Sequence, residues 1–492
     1  MKFKLRPIFK DISLTFITQA IVLAGFFLIY RLIAKNLGPE GIGEYSLVKR
    51  VIGFLQPLLL LGLGVGIPRY IAMSKSKNQQ GEYIKVGGSI VATFAFIFLV
   101  FINLFKYSFS KVFFGSTDYT NLVLPFSFFL AGLILYNLIY SYFRGRLFVK
   151  TFNFFQIVNL VLIPVVILLV FRKAAIEEII FYIGICTFII SLIFFLFFSM
   201  EFFVAIGKLQ FKRPLKELLK YSLPRVPGDF TLAGLLCLGP IFAAHFSSMR
   251  EVGYLSVGQS LLGIMAMVVA PLGLILLPKV SSLVASGKQK RIEESLNVLI
   301  GAIIQCSIFV SIQLIIFTDV IIKYWLGSDF IDSVPIMRIL FFSIIFYTFY
   351  VATRSILDAV RVKPLNTINL LISLLVFLFL TGTFLFLANL VRPIIGLSIA
   401  FSFGLVCLGL LTYISLRKIF NTGVKKDLNC FWITVGINIL FGGLAILMKP
   451  AVAMNLYYFV IFEILLGITY LSVLWLLRMK WIRQIPEKVL LG

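Results

Sequence analysis

The chain has 492 residues, of which 60% are hydrophobic and only 13% charged, with a mean hydropathy of +1.05; an ordinary soluble domain carries about 25% charged residues. A soluble enzyme is therefore excluded. The net charge of +25 does not point to nucleic acid either, because that needs a basic face on a solvated module, whereas these Lys and Arg residues sit between apolar runs.

The N-terminus, Met1 to Lys10, carries Lys2, Lys4, Arg6 and Lys10. It runs into an apolar stretch too long for a signal-peptide core and lacking a small-residue cleavage site, so no cleaved signal is expected. A spanning helix needs about 20 mostly apolar residues. Such stretches follow one another at 12–33, 43–68, 84–106, 121–143, 153–171, 178–200, 222–245, 252–278, 295–317, 335–353, 365–390, 393–416, 428–448 and 454–477. The expected fold is an all-α polytopic membrane protein with fourteen transmembrane helices. Connectors alternate in charge: the termini and even-numbered connectors hold 32 of the 45 Lys and Arg residues, and the odd-numbered ones hold nine. Basic connectors stay cytoplasmic, which places both termini on that side.

An internal repeat appears at an offset of 210 residues. Gly43, Ser46, Gly53 and Pro68 recur as Gly253, Ser256, Gly263 and Pro278; Pro125, Tyr140 and Arg144 recur as Pro335, Tyr350 and Arg354; Asn159 recurs as Asn369. Six spans per unit make the two halves parallel repeats, with a central cavity expected between them. The expected organisation is a six-helix lobe over 1–200, an amphipathic basic cytoplasmic linker over 201–221, a second six-helix lobe over 222–416, and two extra helices with a tail over 417–492. The linker carries Lys208, Lys212, Arg213, Lys216 and Lys220 among Leu, Phe and Ile, and is expected to lie along an anionic leaflet.

Charges inside spans cost about 2.5 to 3.5 kcal/mol even on the lenient scale, so they turn toward a wet cavity or a partner. Lys49 and Arg50, two turns into the second span, and Arg31 at the end of the first, are the cationic candidates. Gln19 shares a face of the first span with Tyr30 and Arg31, and Tyr45, Lys49 and Gln56 follow helical spacing on the second. The cations either bind a pyrophosphate or acidic sugar, or snorkel and pair with Glu40 or Glu44. Asp229 either pairs with Arg225 one turn earlier or binds a coupling ion. Glu463, alone in the last span, is either a neutral hydrogen-bonded acid or a coupling-ion site. Asn159, Asn369, Gln156 and Asn366 serve interhelical bonds or sugar hydroxyls. Gly62, Gly64 and Gly66 lie inside an apolar helix and read as close packing or a hinge. Arg69, Lys279, Arg144 and Arg354 read as anchors at the cytoplasmic helix ends. The five cysteines lack CxxC spacing, and there is a single histidine, His245; neither a metal site nor a catalytic set nor a cofactor is expected.

The runs Arg31 to Leu47 (RLIAKNLGPEGIGEYSL), Gly66 to Ala72 (GIPRYIA) and Tyr142 to Arg146 (YFRGR) resemble the polysaccharide (oligosaccharide) flippase family of the multidrug/oligosaccharidyl-lipid/polysaccharide exporter superfamily. The resemblance implies a bacterial or archaeal inner-membrane flippase for a polyprenyl-pyrophosphate-linked oligosaccharide. It also implies membrane lipids, a polysaccharide polymerase and glycosyltransferases as partners. Three rivals stay open: a cation-coupled drug antiporter of the same superfamily, a peptidoglycan lipid flippase, and a membrane glycosyltransferase or polymerase. The first would want acidic residues lining its cavity, and the last paired carboxylates and a large extramembrane loop.

Overall fold

The computed structural model describes residues 5–204, 211–285, 289–360, 365–420 and 428–476. Among these the chain is helical, with no strand. This follows from the apolar composition, because a lipid-embedded backbone must satisfy its own hydrogen bonds within each segment.

Two compact units emerge, Met1–Ser256 and Val257–Gly492. The first holds α1 (Leu5–Leu60), α2 (Leu63–Met73), α3 (Lys77–Leu104), α4 (Lys106–Phe114), α5 (Val123–Gly145), α6 (Val149–Ile157), α7 (Ile163–Val170), α8 (Ile176–Val204), α9 (Lys212–Ser222), α10 (Val226–Phe246) and the start of α11 (Met249–Ala285). The second holds the rest of α11 and then α12 (Gln289–Ile316), α13 (Thr318–Trp325), α14 (Val334–Phe342), α15 (Ile344–Val360), α16 (Leu365–Phe386), α17 (Pro393–Ile419), α18 (Leu428–Val452) and α19 (Leu456–Leu476).

Among the described residues eleven helical runs are long and apolar enough to cross a membrane, or thirteen if two bent pairs each count as one span. The difference from the expected fourteen has a physical source. Ser13–Leu60 is one run of 48 residues, yet at 1.5 Å per residue it would measure about 72 Å, over twice a bilayer core of about 30 Å. It covers the first expected span and most of the second, and it breaks at Gly38, whose φ of 66° lies in the left-handed region. Glycine stops the first half there, and Pro39, pre-set for a first helical turn, starts the next. The bent pairs turn by 67° between α12 and α13 and by 44° between α14 and α15.

Core packing in the first unit depends on small residues, as expected where lipid offers no hydrophobic drive for association. The backbones of α5 and α8 approach so closely that a Cβ on Gly184 would lie 2.5 Å from the Phe129 nitrogen. The large apolar side chains that stay exposed, such as Phe96, Ile97 and Phe101 on α3, suit acyl chains rather than water. In the second unit Leu296, Ile300 and Ile303 of α12 pack with Phe349 and Ile356 of α15 and Leu416 of α17. A separate cluster joins α12, α13, α18 and α19 around Phe317, Phe441, Leu466 and Tyr470.

The basic segment between the expected lobes forms α9. Leu218 is fully buried, and α9 lies in a groove made by glycines: a Cβ on Gly66 would lie 2.2 Å from Ser222 Oγ, one on Gly62 2.5 Å from the Ser222 carbonyl, and one on Gly87 3.5 Å from Leu218 Cδ1. The Gly62 and Gly66 positions thus provide close packing, and Gly62 also turns the chain between α1 and α2 with φ 70°. Gly66→Val is expected to release α9, read as faster tryptic cleavage at Lys216 and Lys220 in the folded protein. Residues 205–210 of the expected linker, Lys208 among them, lie outside the described residues.

Candidate functional site

Four of the candidate residues, Tyr45, Lys49, Arg50 and Gln56, lie on α1 beyond the Gly38 break. Lys49 lies eleven residues past Gly38, about 16 Å along the axis, near the middle of a span. Its side chain is exposed, and its ammonium sits 5.4 Å from the centre of the Tyr45 ring. Tyr45 itself is buried. Its ring meets Tyr30 edge-on at 6.2 Å, and the Tyr30 hydroxyl lies 3.2 Å from Ser46 Oγ, so the two halves of α1 fold against each other along this face. The cation therefore rests on an aromatic ring that is fixed in place by packing.

Arg50, the next residue, points elsewhere. It is half-buried and donates from Nη1 to the Leu236 carbonyl of α10 and from Nη2 to the Ser256 carbonyl of α11, both at 3.3 Å. The first bond has a clear cause. Pro240 lies four residues after Leu236 inside α10, so the N–H that would close the helical bond is missing and the carbonyl is left open. The Arg50 guanidinium supplies that donor and ties three helices together.

The remaining candidates are spread out. Gln56 is half-buried two turns beyond Lys49. Gln19 is half-buried on the first half of α1, one turn after Thr15, which accepts a hydrogen bond from Asn153 of α6 at 3.3 Å. Arg31 is exposed on the same half. Asp229 is exposed in the first turn of α10, while Arg225 donates to Tyr221 Oη at 2.8 Å and lies over its ring at 4.5 Å. Glu463 sits half-buried on α19 in the second unit.

The polar asparagines bond between helices. Ser191 of α8 donates to Asn159 Oδ1 at 3.5 Å, and Asn369 donates to Ser415 of α17 at 3.1 Å. Arg144 lies 5.8 Å from the Tyr140 ring and Arg354 lies 6.0 Å from the Tyr350 ring, the same local pair 210 residues apart. Arg69 stacks on Tyr221 at 4.1 Å. The side chain of Lys279 lies outside what is described.

Two features escaped the sequence. Gly43 and Gly253 form a backbone crossing: a Cβ on Gly43 would lie 2.0 Å from the Met249 carbonyl, and one on Gly253 2.6 Å from the Pro39 carbonyl and 3.0 Å from the Gly43 nitrogen. Their shared offset was visible, but their meeting was not. The second is a cavity of about 560 Å³ between α2, α3 and α9, lined by Tyr70, Tyr83, Tyr221, Arg213, Glu217 and Lys220 among others. Glu217 accepts hydrogen bonds from Tyr83 and, at 3.0 Å, from Arg213. No spacing of these residues along the chain signals that grouping.

Residues 8–284 match the family described as polysaccharide biosynthesis protein. No curated protein matches the sequence. Among solved structures, a lipid II flippase, MurJ, in its inward closed conformation aligns with a TM-score of 0.69 at 15% identity, over 95% of this chain and all of that one. An inward-facing multidrug resistance MATE family transporter of the MOP superfamily aligns with a TM-score of 0.64 at 12% identity, over 82% of this chain and 94% of that one. Identities this low establish a shared fold. The family match, which spans more than half of the sequence, establishes membership: this chain belongs to the polysaccharide biosynthesis protein family and has the multi-helix membrane fold of MOP-superfamily transporters.

Proposed function

We propose that the protein flips a polyprenyl-pyrophosphate-linked oligosaccharide from the inner to the outer leaflet of the cytoplasmic membrane, by alternating access, for surface polysaccharide biosynthesis. The observation that carries this reading is Lys49: an exposed ammonium near the middle of an apolar helix, steadied by a buried tyrosine. A cation in that position is expensive in lipid unless it serves a ligand, and it is repaid by an anionic group that must itself cross low dielectric. Gln56, on the same helix, offers amide groups to sugar hydroxyls. Arg31 and Gln19 on the first half of α1 complete the polar lining in this reading. No bond is made or broken, and both termini face the cytoplasm, where the basic connectors belong.

A peptidoglycan lipid is the second reading, favoured by the likeness to a lipid II flippase; it differs in headgroup and shares the pyrophosphate. A drug antiporter fits less well, since a cation substrate would meet Lys49. The test uses the purified protein in vesicles with a fluorescent polyprenyl-pyrophosphate oligosaccharide in one leaflet. Protein-dependent exposure on the opposite leaflet is expected. No exposure of it, with exposure of the peptidoglycan lipid instead, would select the second reading.

A further inference from the structure

The second unit contains buried polar side chains that the proposed transport leaves unused. On α12, Gln305 is 1% exposed and Gln313 6%, and among the described residues neither carboxamide has a hydrogen-bond partner on its oxygen or its nitrogen. On α19, Oε1 of Glu463 is buried and likewise without a partner. Within hydrocarbon such groups are costly and mark function by default.

The helix register brings two of them within about one turn of each other along facing helices. Gln305, Phe309, Gln313 and Phe317 recur at every fourth residue and form one row of side chains. Contacts fix both ends of that row on α19. Tyr470 donates its hydroxyl to the Gln305 carbonyl at 3.1 Å and stacks on Phe309 at 4.0 Å, whereas Phe317 meets Phe459 at 5.2 Å and Phe462 at 6.0 Å. The two helices therefore run antiparallel, and Gln313 faces the stretch between Phe462 and Tyr470. Glu463 lies seven residues before Tyr470, two turns back on the same face. From α18, Asn438 Oδ1 approaches the Tyr470 hydroxyl at 3.2 Å.

A carboxylic acid and a carboxamide are complementary: the acid O–H donates to the amide oxygen while the amide N–H donates to the acid carbonyl. Loss of the proton removes one of the two bonds and leaves a charge in an apolar surround. We propose that Glu463, on the face of α19 turned toward the Gln313 row of α12, is a proton-binding site within the second unit, with Gln313 as the partner it takes up when protonated, through which a pH gradient acts on the proposed flipping. The inference rests on that functional reading for its role in transport. Some of the other titratable and charged groups on these elements are engaged with one another. Lys449 of α18 pairs with Asp319 of α13 at 2.6 Å, and Arg338 of α14 lies 3.6 Å from the same carboxylate. Tyr324 of α13 donates to the Ala453 carbonyl at 3.1 Å; Lys323 of α13, Cys306 of α12, and Tyr457 and Tyr458 at the start of α19 lie on the same elements, and Lys290, Arg291, Glu293 and Glu294 lie in the first two turns of α12, about three or more turns before Gln305.

The test needs no transported substrate. Dicyclohexylcarbodiimide modifies protonated carboxyls in apolar surroundings, so the full-length protein in lipid vesicles is treated with it across a pH series and the adduct is located by peptide mass spectrometry. Labelling of Glu463 is expected, falling at least tenfold as pH rises, with its midpoint moved in Gln313→Leu. Absent labelling, labelling independent of pH, an unmoved midpoint in Gln313→Leu, or protection by sodium ions at constant pH would overturn the proton site. In the vesicle flipping assay, Glu463→Gln, which mimics the protonated acid, is expected to flip at a rate that ignores an imposed pH gradient. Full gradient dependence in that variant would also overturn it. A wild type that labels with pH but flips neither lipid would instead sink the functional reading and leave the proton site standing.

Discussion

Lys49→Gln is expected to lower flipping by about tenfold to a hundredfold, while insertion and yield stay normal. A hydrogen bond to a charged group contributes about 1.5 to 3 kcal/mol, and about 1.4 kcal/mol is a factor of ten. Lys49→Arg keeps the charge and is expected to retain much of the activity. The neighbouring position should behave differently. Arg50→Leu removes the donor from the Leu236 carbonyl, which Pro240 has left open, and an unsatisfied buried carbonyl costs about 1 to 3 kcal/mol. Its effect should appear first as a lower melting temperature in detergent. The double mutant Arg50→Leu with Pro240→Ala, which restores the helical N–H, should recover part of that stability. If Lys49→Gln flips at the wild-type rate in vesicles, the substrate role of Lys49 is lost.

Gly43→Val is expected to be the most damaging single substitution in the first unit. Even the first added carbon would stand 2.0 Å from the Met249 carbonyl, and this neighbour is backbone that cannot rotate away. Overpacking of side chains costs about 1 to 3 kcal/mol; a clash with backbone forces the second half of α1 and the start of α11 apart and should exceed that. Gly253→Val should act similarly, because its Cβ would meet Pro39 and Gly43. Gly263→Ala provides the control, since nothing lies within 4 Å of its Cβ. Expression yield and monodispersity in detergent would read the contrast, and an unaffected Gly43→Val would remove the close crossing from the description of this fold.

The sequence alone determined that this is a membrane protein of many helices, because a bilayer forces backbone hydrogen bonding into each apolar segment and hydropathy records the segments one by one. It also left a connector over residues 34–42, within which the structure places the break at Gly38, and it marked the unusual cations at Lys49 and Arg50, whose cost depends only on depth in the span. Lys49 and Arg50 are adjacent, so spacing gave them one role. Only the tertiary structure separated them, because the carbonyl that Arg50 satisfies belongs to a proline-broken turn nearly two hundred residues away. The same holds for the grouping of Tyr70, Tyr83 and Tyr221 around α9 and for the antiparallel meeting of α12 with α19 through Phe309 and Tyr470. Periodicity gives the face a residue occupies on its own helix; which helix meets that face is decided by packing between segments far apart in the chain, and small residues that allow close approach leave only a faint trace in composition.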